Sequence, residues 1–391
     1  MKGKNQRFLK EENTSVILKL IKENPGISRA DIVRISGLTA PTVSRLTNKM
    51  VENGIINEKK AEITGVGRKP FGLYFNENAF YIIGIDFSYL HITGALVNLS
   101  GKIKERKTMK VNSNTFSEKD IPRIVNLVNY LISRKGKSNI LGIGFSSPGM
   151  VDHKNGILIS IPHFPNFKNV PIKEILESEF GLCTVVSNDA NAEAVGEKHF
   201  GFGKNVSDFV LLHLGYGIGM GIIIRKKLYT GNFGVSGEIG HTSVDRKTGK
   251  KCDCGNVGCV ELYAGLKGIL EDVSAVLNKK VTSVSELKKL IRNKKVSSVI
   301  KEKGELIGYV LVNVVNLLAP EKIIVTGSVV SSIGEPIIKP IKETIDARSF
   351  YGVGKRIPII LSELGKNCTL VGAATTVLEY FLEKPYDFIE T

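Results

Sequence analysis

The chain has no tryptophan, only five cysteines and six histidines in 391 residues, and no long apolar run. No segment approaches the roughly twenty uninterrupted apolar residues that a bilayer-crossing helix needs, so no membrane span is expected. The opening Met1-Lys-Gly-Lys-Asn-Gln-Arg7 lacks the apolar centre of a secretory leader, and a cytoplasmic protein is the expectation. Few cysteines exclude a disulfide scaffold, and in a reducing compartment clustered cysteines bind metal more often than they pair. Acidic residues are outnumbered: 38 Asp and Glu stand against 54 Lys and Arg, leaving +16. That excess suits a polyanionic partner, and a Lys-rich solvated surface would produce the same figure. A chain of 391 residues exceeds what one core usually serves, so two or three domains are expected.

Three of the five cysteines lie together. Glu238-Ile-Gly-His241 is followed by Cys252-Asp-Cys254-Gly-Asn-Val-Gly-Cys259-Val-Glu261, while Cys183 and Cys368 are remote. One imidazole and three thiolates make a four-ligand zinc set, His241, Cys252, Cys254 and Cys259, with Gly255 and Gly258 as turn residues of a tight metal loop. Four protein ligands leave no open position, so the expected role is structural, pinning the Glu238 and Glu261 carboxylates nearby.

The first seventy or so residues read as a separate helical module. Val16, Ile17, Leu20 and Ile21 mark a first helix that stops at Asn24-Pro25-Gly26. Ser28 with Asp31 makes a capping-box start for a second, with Ile32, Val33 and Ile35 inward. Gly37 turns the chain, and Thr39 caps a third helix with Pro41 near its start. Val43, Leu46 and Met50 fall on one face of that helix. Pro41, Thr42, Ser44, Arg45, Asn48 and Lys49 form the opposite, small, polar and basic face, as a recognition helix needs to enter a major groove. Two strands then flank a turn-rich stretch containing Gly67-Arg68-Lys69-Pro70, a wing whose cations suit a narrow minor groove, or else a solvated linker.

From Phe80 onward, apolar strands alternate with glycine turns and amphipathic helices, the pattern of an α/β domain. Tyr81–Asp86, His91–Asn98 and Gly101-Lys-Ile are echoed by Phe209–Gly215, Gly219–Ile224 and Lys227-Leu-Tyr. Duplicated strand-turn-strand units imply two lobes around a cleft. Asn188-Asp189 follows a strand, where a carboxylate can accept from two hydroxyls or cap the helix that begins near Ala190.

The Glu238–Glu261 run and the Asn188-Asp189-Ala-Asn motif resemble those of the ROK family of bacterial sugar kinases and sugar-responsive repressors, and the resemblance spans essentially the whole chain. It implies an actin/hexokinase-like (ribonuclease H-like) two-lobed fold, preceded by the winged helix-turn-helix that the repressor branch carries. It further implies a DNA-binding domain at 1–75, a first lobe at 76–190 with 369–391 packing back on it, and a zinc-bearing second lobe at 191–368. In that family the histidine binds zinc through one ring nitrogen and faces the sugar with the other. Carried over by position, the ligand contacts are Asn188, Asp189, Glu238, His241 and Glu261, with Asp189 the general base if the chain is a kinase.

The nucleotide elements depart from the kinase pattern. Asp86-Phe-Ser-Tyr-Leu-His91 stands where kinases have Asp-x-Gly-Gly-Thr, so Phe87, Tyr89 and Leu90 are expected to obstruct ATP phosphates. Tyr216 replaces the threonine of the second phosphate loop, and Ile323–Val330 has fewer glycines than the adenosine-binding turn. ATP and magnesium are therefore not expected. His163, Phe164 and Asn166 alter the loop beside the sugar, where Phe164 and Phe167 are candidates for stacking on a sugar face or for simple packing. Residues 266–308 read as a Lys-rich solvated helical surface with Leu287, Leu290 and Ile291 inward. The expected function is a sugar-responsive transcriptional regulator that binds operator DNA as a homodimer or higher oligomer. The alternatives are an ATP:sugar phosphotransferase of hexose or N-acetylhexosamine type with an added DNA module, and a repressor whose sensor binds a transport protein.

Overall fold

The fold is given by a computed structural model that describes residues 2–60 and 71–385. Arg68 and Lys69, the expected cations of the wing, lie outside the described residues.

Helix α1 (Lys2–Glu23) stops where Pro25 and Gly26 follow, and Gly26 takes a φ of 87°. Ser28 accepts a hydrogen bond from the Asp31 amide and starts α2 (Arg29–Ser36), which Gly37 ends in the left-handed conformation at φ 71°. Thr39 precedes α3 (Ala40–Glu52) as expected, but its hydroxyl donates to the Thr42 hydroxyl rather than capping the backbone. Strands β1 (Ile56–Lys60) and β2 (Phe71–Phe75) pair antiparallel, Ile56 opposite Phe75, as the two sides of the wing. Ile17, Ile21, Ile32, Val43, Leu46 and Met50 are buried, whereas Ile35 is 53% exposed. Positions 32, 33 and 35 span too much of the helix circumference to share one apolar stripe.

The duplication is borne out strand for strand. The first lobe contains β3 (Tyr81–Phe87), β4 (His91–Asn98), β5 (Ile103–Lys110), α4 (Ile121–Lys135) and β6 (Ile140–Ser147). A small antiparallel sheet of β7 (Met150–Asp152), β8 (Ile157–Ser160) and β9 (Lys168–Val170) follows, then α5 (Ile172–Phe180), β10 (Thr184–Asn188) and α6 (Asp189–Phe200). The second contains β11 (Phe209–Leu214), β12 (Ile218–Ile224), β13 (Lys227–Leu228), helices α7 (Glu261–Ala264), α8 (Leu266–Leu277), α9 (Val284–Leu290) and α10 (Lys294–Leu318), β14 (Lys322–Thr326), α11 (Ser328–Ile333), α12 (Glu335–Arg348) and β15 (Ile359–Leu361), after which comes α13 (Cys368–Glu383). The main sheets run β10-β6-β3-β4-β5 and β13-β12-β11-β14-β15. Each is an antiparallel three-strand meander to which two parallel strands are added on the opposite side of the first.

Helix α13 packs on the first sheet, and glycines let it come close. A Cβ on Gly144 would overlap the Ala373 carbonyl, and one on Gly372 would overlap the Ala192 carbonyl of α6. Leu370, Ala374, Val377, Leu378 and Phe381 share a core with Ile82 and Leu141 of the first sheet and with Ile17 and Ile21 of α1. One apolar cluster thus joins the winged helix to the two-lobed domain.

The segment 266–308 has the expected inward side: Leu287 is buried, and Leu290 and Ile291 pack against the second-lobe core. Val273, Leu287, Val296, Ile300 and Ile307 belong to the second-lobe core, and Lys303 is 4% exposed and paired with Asp272. The segment's other lysines mostly extend from the outer face. Among the described residues, no helix is long and apolar enough to cross a membrane.

Candidate functional site

A short helical turn, Ile239–His241, and the Cys252–Cys259 loop bring the expected metal ligands together. Gly258 has φ 76°, and a side chain there would overlap the Asp245 carbonyl, so only glycine closes this loop. The ligand atoms of His241, Cys252, Cys254 and Cys259 lie within 4.8 Å of one another. Cys252 Sγ stands 3.6 Å from His241 Nδ1, and the Cys254 and Cys259 sulfurs are 3.6 Å apart. A tetrahedral site with metal–sulfur bonds near 2.3 Å has edges of about 3.8 Å, so the four residues fit a metal ion. Burial pushes the Cys252 thiol up to about 12. A bound dication would reverse that preference, because thiolates are the ligands.

With Nδ1 turned toward the sulfurs, His241 Nε2 faces the Glu238 carboxylate at 3.8 Å, while Glu261 Oε1 stands 3.3 Å from Nδ1. Burial raises the carboxyls of Glu238 and Asp189. Asp189 and Glu261 add to the shift of Glu238, so three carboxylates from both lobes share one cleft. An imidazole N and several carboxylate oxygens suit a neutral ligand rich in hydroxyl donors. Asn188 caps α6, one of the two roles expected of it: its Oδ1 accepts from the amides of Ala190 and Asn191, and its Nδ2 donates to the Gly149 carbonyl. What remains for a ligand is one amide hydrogen.

Behind Asp189 lies a polar group that sequence reasoning missed. Glu193, one helical turn further along α6, pairs with His213 Nδ1 at 2.8 Å and accepts from the Thr369 hydroxyl at 2.7 Å. Burial opposes charge on His213, but Glu193 outweighs it and raises the imidazole to about 9. Asp86, retained from the first phosphate loop, is pushed up to about 7 by burial and by Glu193 and Asp189. The four-residue spacing of Asp189 and Glu193 on one helix was the available signal.

The altered phosphate loops differ in detail from expectation. Phe87 turns into the first-lobe core against Phe164 and Phe167, so it does not obstruct the cleft, and Leu90 is 65% exposed. Phe164 and Phe167 are fully buried and are packing residues, not stacking platforms. Tyr89 reaches across, with its ring 4.5 Å from that of Tyr216 and 5.6 Å from that of His163.

On the winged helix, Pro41, Arg45 and Asn48 are exposed on α3, and Thr42, Ser44 and Lys49 are half-buried beside them. Arg29 Nη2 donates to Asn48 Oδ1 at 2.9 Å and the same guanidinium pairs with Glu58 of β1, which fixes α3 against the wing strand. At the opposite side of the module, Lys22 Nζ stands 3.2 Å from His199 Nδ1, and His199 Nε2 stands 2.8 Å from Glu379 Oε1. Lys198 also pairs with Glu379. Burial lowers His199, which as a neutral ring accepts from Lys22 and donates to Glu379. Ser15 adds a hydroxyl bond of 2.6 Å to the Leu382 carbonyl.

A winged helix joined to a duplicated two-lobed domain with a Cys3His cluster beside its cleft defines a class of sugar-kinase-like proteins that carry a DNA-binding head. Residues 82–379 match the ROK family, residues 11–57 match a winged helix-turn-helix DNA-binding family, and the chain belongs to the ROK family. It is 33% identical to the xylose repressor of Bacillus spizizenii, over 97% of this chain and 98% of that one. It is similar to the crystal structure of a ROK family transcriptional regulator, a homolog of the E. coli MLC protein. The TM-score is 0.86 at 25% identity, covering 98% of this chain and all of that one. A ROK family glucokinase from Streptomyces griseus, solved with glucose and AMPPNP, matches 76% of this chain and 99% of its own length at 27% identity, with a TM-score of 0.65.

Proposed function

We propose that this chain is a xylose-responsive transcriptional repressor: a winged helix at 1–75 binds operator DNA, and a zinc-bearing sensor with lobes at 76–190 and 191–368, residues 369–391 returned to the first, binds the sugar. The observation that carries the reading is one chain joining an exposed polar face on α3 to a cleft of carboxylates ordered by a metal-ready His241, over the full length of a xylose repressor. Asp189, Glu238, His241 and Glu261 accept the sugar's hydroxyls, and Asn188 holds the start of α6 and offers its remaining amide hydrogen. Zinc suits the Cys3His donor set and orients His241, leaving Nε2 for the ligand.

Helix α6 supplies the route between the sites. It begins at the ligand end with Asp189 and reaches Lys198 and His199, which meet Lys22 of α1 through Glu379 and the ring nitrogens. Its length of roughly 18 Å is a rigid link. Lobe closure over the sugar displaces its far end, the heads of a homodimer lose half-site spacing, and operator affinity falls because the sugar prefers the closed state. Phosphoryl transfer from ATP is disfavoured by Tyr89 and Tyr216, whose rings meet between the two phosphate loops.

The test is fluorescence anisotropy of labelled DNA from upstream of this protein's own gene, titrated with the chain and then with a panel of sugars. Release by xylose that is lost in Glu238→Ala supports the reading. Binding indifferent to every sugar points to a protein ligand, and absence of DNA binding with ATP-dependent sugar phosphorylation restores the kinase.

A further inference from the structure

We propose that Tyr89, His163 and Tyr216 form an aromatic end wall that sets the length of the ligand site, selecting a five-carbon pyranose over a hexose bearing the same ring hydroxyls plus an exocyclic hydroxymethyl group. The inference rests on the sugar-sensor reading above and assigns its selectivity to residues outside the hydroxyl-binding set.

The wall is built from both lobes. Tyr89 lies on the β3–β4 turn and His163 on the loop between β8 and β9, while Tyr216 lies on the β11–β12 turn of the second lobe. The three rings pack mutually, with centroids 4.5 Å apart for Tyr89 and Tyr216, 5.6 Å for Tyr89 and His163, and 5.1 Å for His163 and Tyr216. Their place beside the ligand set follows from two observations. A Cβ on Gly217, next to Tyr216, would stand 3.3 Å from Glu261 Oε2. Tyr89 sits in the fields of Asp189, Glu261 and Glu238, which join burial in raising its hydroxyl.

The wall is also stiff. Phe164 stacks behind Tyr89 at 6.3 Å and is itself locked against Phe87 and Phe116 at 5.0 and 5.9 Å. His163 is held at a φ of 65°, a backbone conformation that a non-glycine residue adopts only where its surroundings impose it. A wall that cannot recede gives the apolar face of a pyranose a surface to lie on and leaves no room for an added carbon and hydroxyl. One methylene in a shaped pocket discriminates by about 10–200-fold, which sets the scale expected here.

The experiment is calorimetric titration of D-xylose and of D-glucose into the full-length chain, compared with Tyr89→Ala, Tyr216→Thr and the pair together. Leu90→Ala, on the exposed side of the same turn, is the control. The wild type is expected to prefer xylose by about tenfold or more. Each wall variant should weaken xylose binding and gain glucose binding, moving the ratio by about tenfold or more, while Leu90→Ala keeps it. Tyr216→Thr stands on a half-exposed turn and keeps the test available if Tyr89→Ala fails to fold. A ratio that moves less than about twofold in the folded variants, or a wild type that binds both sugars equally, overturns the wall and leaves the sensor intact. A wild type that binds neither sugar overturns the sensor reading and the wall with it.

Discussion

Replacing Glu379 with glutamine tests the joint between the winged helix and the sensor. Burial would raise this carboxyl, but the hydrogen bond from His199 and the Lys198 ammonium outweigh burial and hold it at about 2, against an ordinary 4.5. The fall corresponds to about 3 kcal/mol at neutral pH, and a side chain 24% exposed brings the expectation nearer 2. Because the folded value lies below the unfolded one, the stabilisation is complete above about pH 4.5 and is lost as pH falls toward 2. Glu379→Gln should therefore be about 2–3 kcal/mol less stable than wild type at pH 7 and nearly equal to it near pH 2. Urea unfolding followed by circular dichroism at pH 7, 5 and 3 reads this out; the chain has no tryptophan to report by fluorescence. A variant as stable as wild type at pH 7, or a deficit unchanged across pH, would refute the reasoning. The same substitution should leave DNA and sugar binding separately intact while shrinking the effect of sugar on DNA affinity.

Cys259→Ser removes a buried metal ligand and should cut zinc stoichiometry toward zero and destabilise the Cys252–Cys259 loop; full zinc content by metal analysis would contradict the assignment. Asp86, held at about 7 against an ordinary 3.8, keeps a proton in the folded state that the unfolded chain has lost. Stability should accordingly fall as pH rises from about 4 to about 7, and Asp86→Asn should flatten that part of the urea-midpoint profile. Arg45→Ala, on the exposed face of α3, should weaken operator binding by about 1–3 kcal/mol if Arg45 reads a base, or reduce the salt slope by about one if it meets phosphate; anisotropy across a salt series separates the two, and an unchanged affinity removes Arg45 from the interface.

Features set by near neighbours in the chain are legible in the sequence. The Cys-x-Cys spacing, the Ser28 and Gly37 helix boundaries and the duplicated strand pattern all depend on residues within a few positions of one another, and each forms as expected. The failures depend on long-range packing. Phe164, Phe167 and His163 share one loop, yet the two phenylalanines enter the core and the histidine meets Tyr216 of the other lobe. Nothing in the local sequence separates them. Lys303 reads as one more surface lysine until Asp272 is placed beside it. The Lys22–His199–Glu379 chain joins three helices distant in sequence, so periodicity offered no sign of it. Asn188 illustrates a shared role: its motif marked a ligand contact and a helix cap, the cap forms, and the Gly149 carbonyl is a partner the sequence did not indicate.

Coupling between cleft and operator is the central claim, and linkage makes it measurable from the sugar side. Xylose should be titrated calorimetrically into the full-length chain, first free and then saturated with operator DNA. If the sugar releases the operator, the DNA-bound chain must bind xylose more weakly by the same factor, expected to be about 5–150-fold. Equal xylose affinity in the two states would contradict the account.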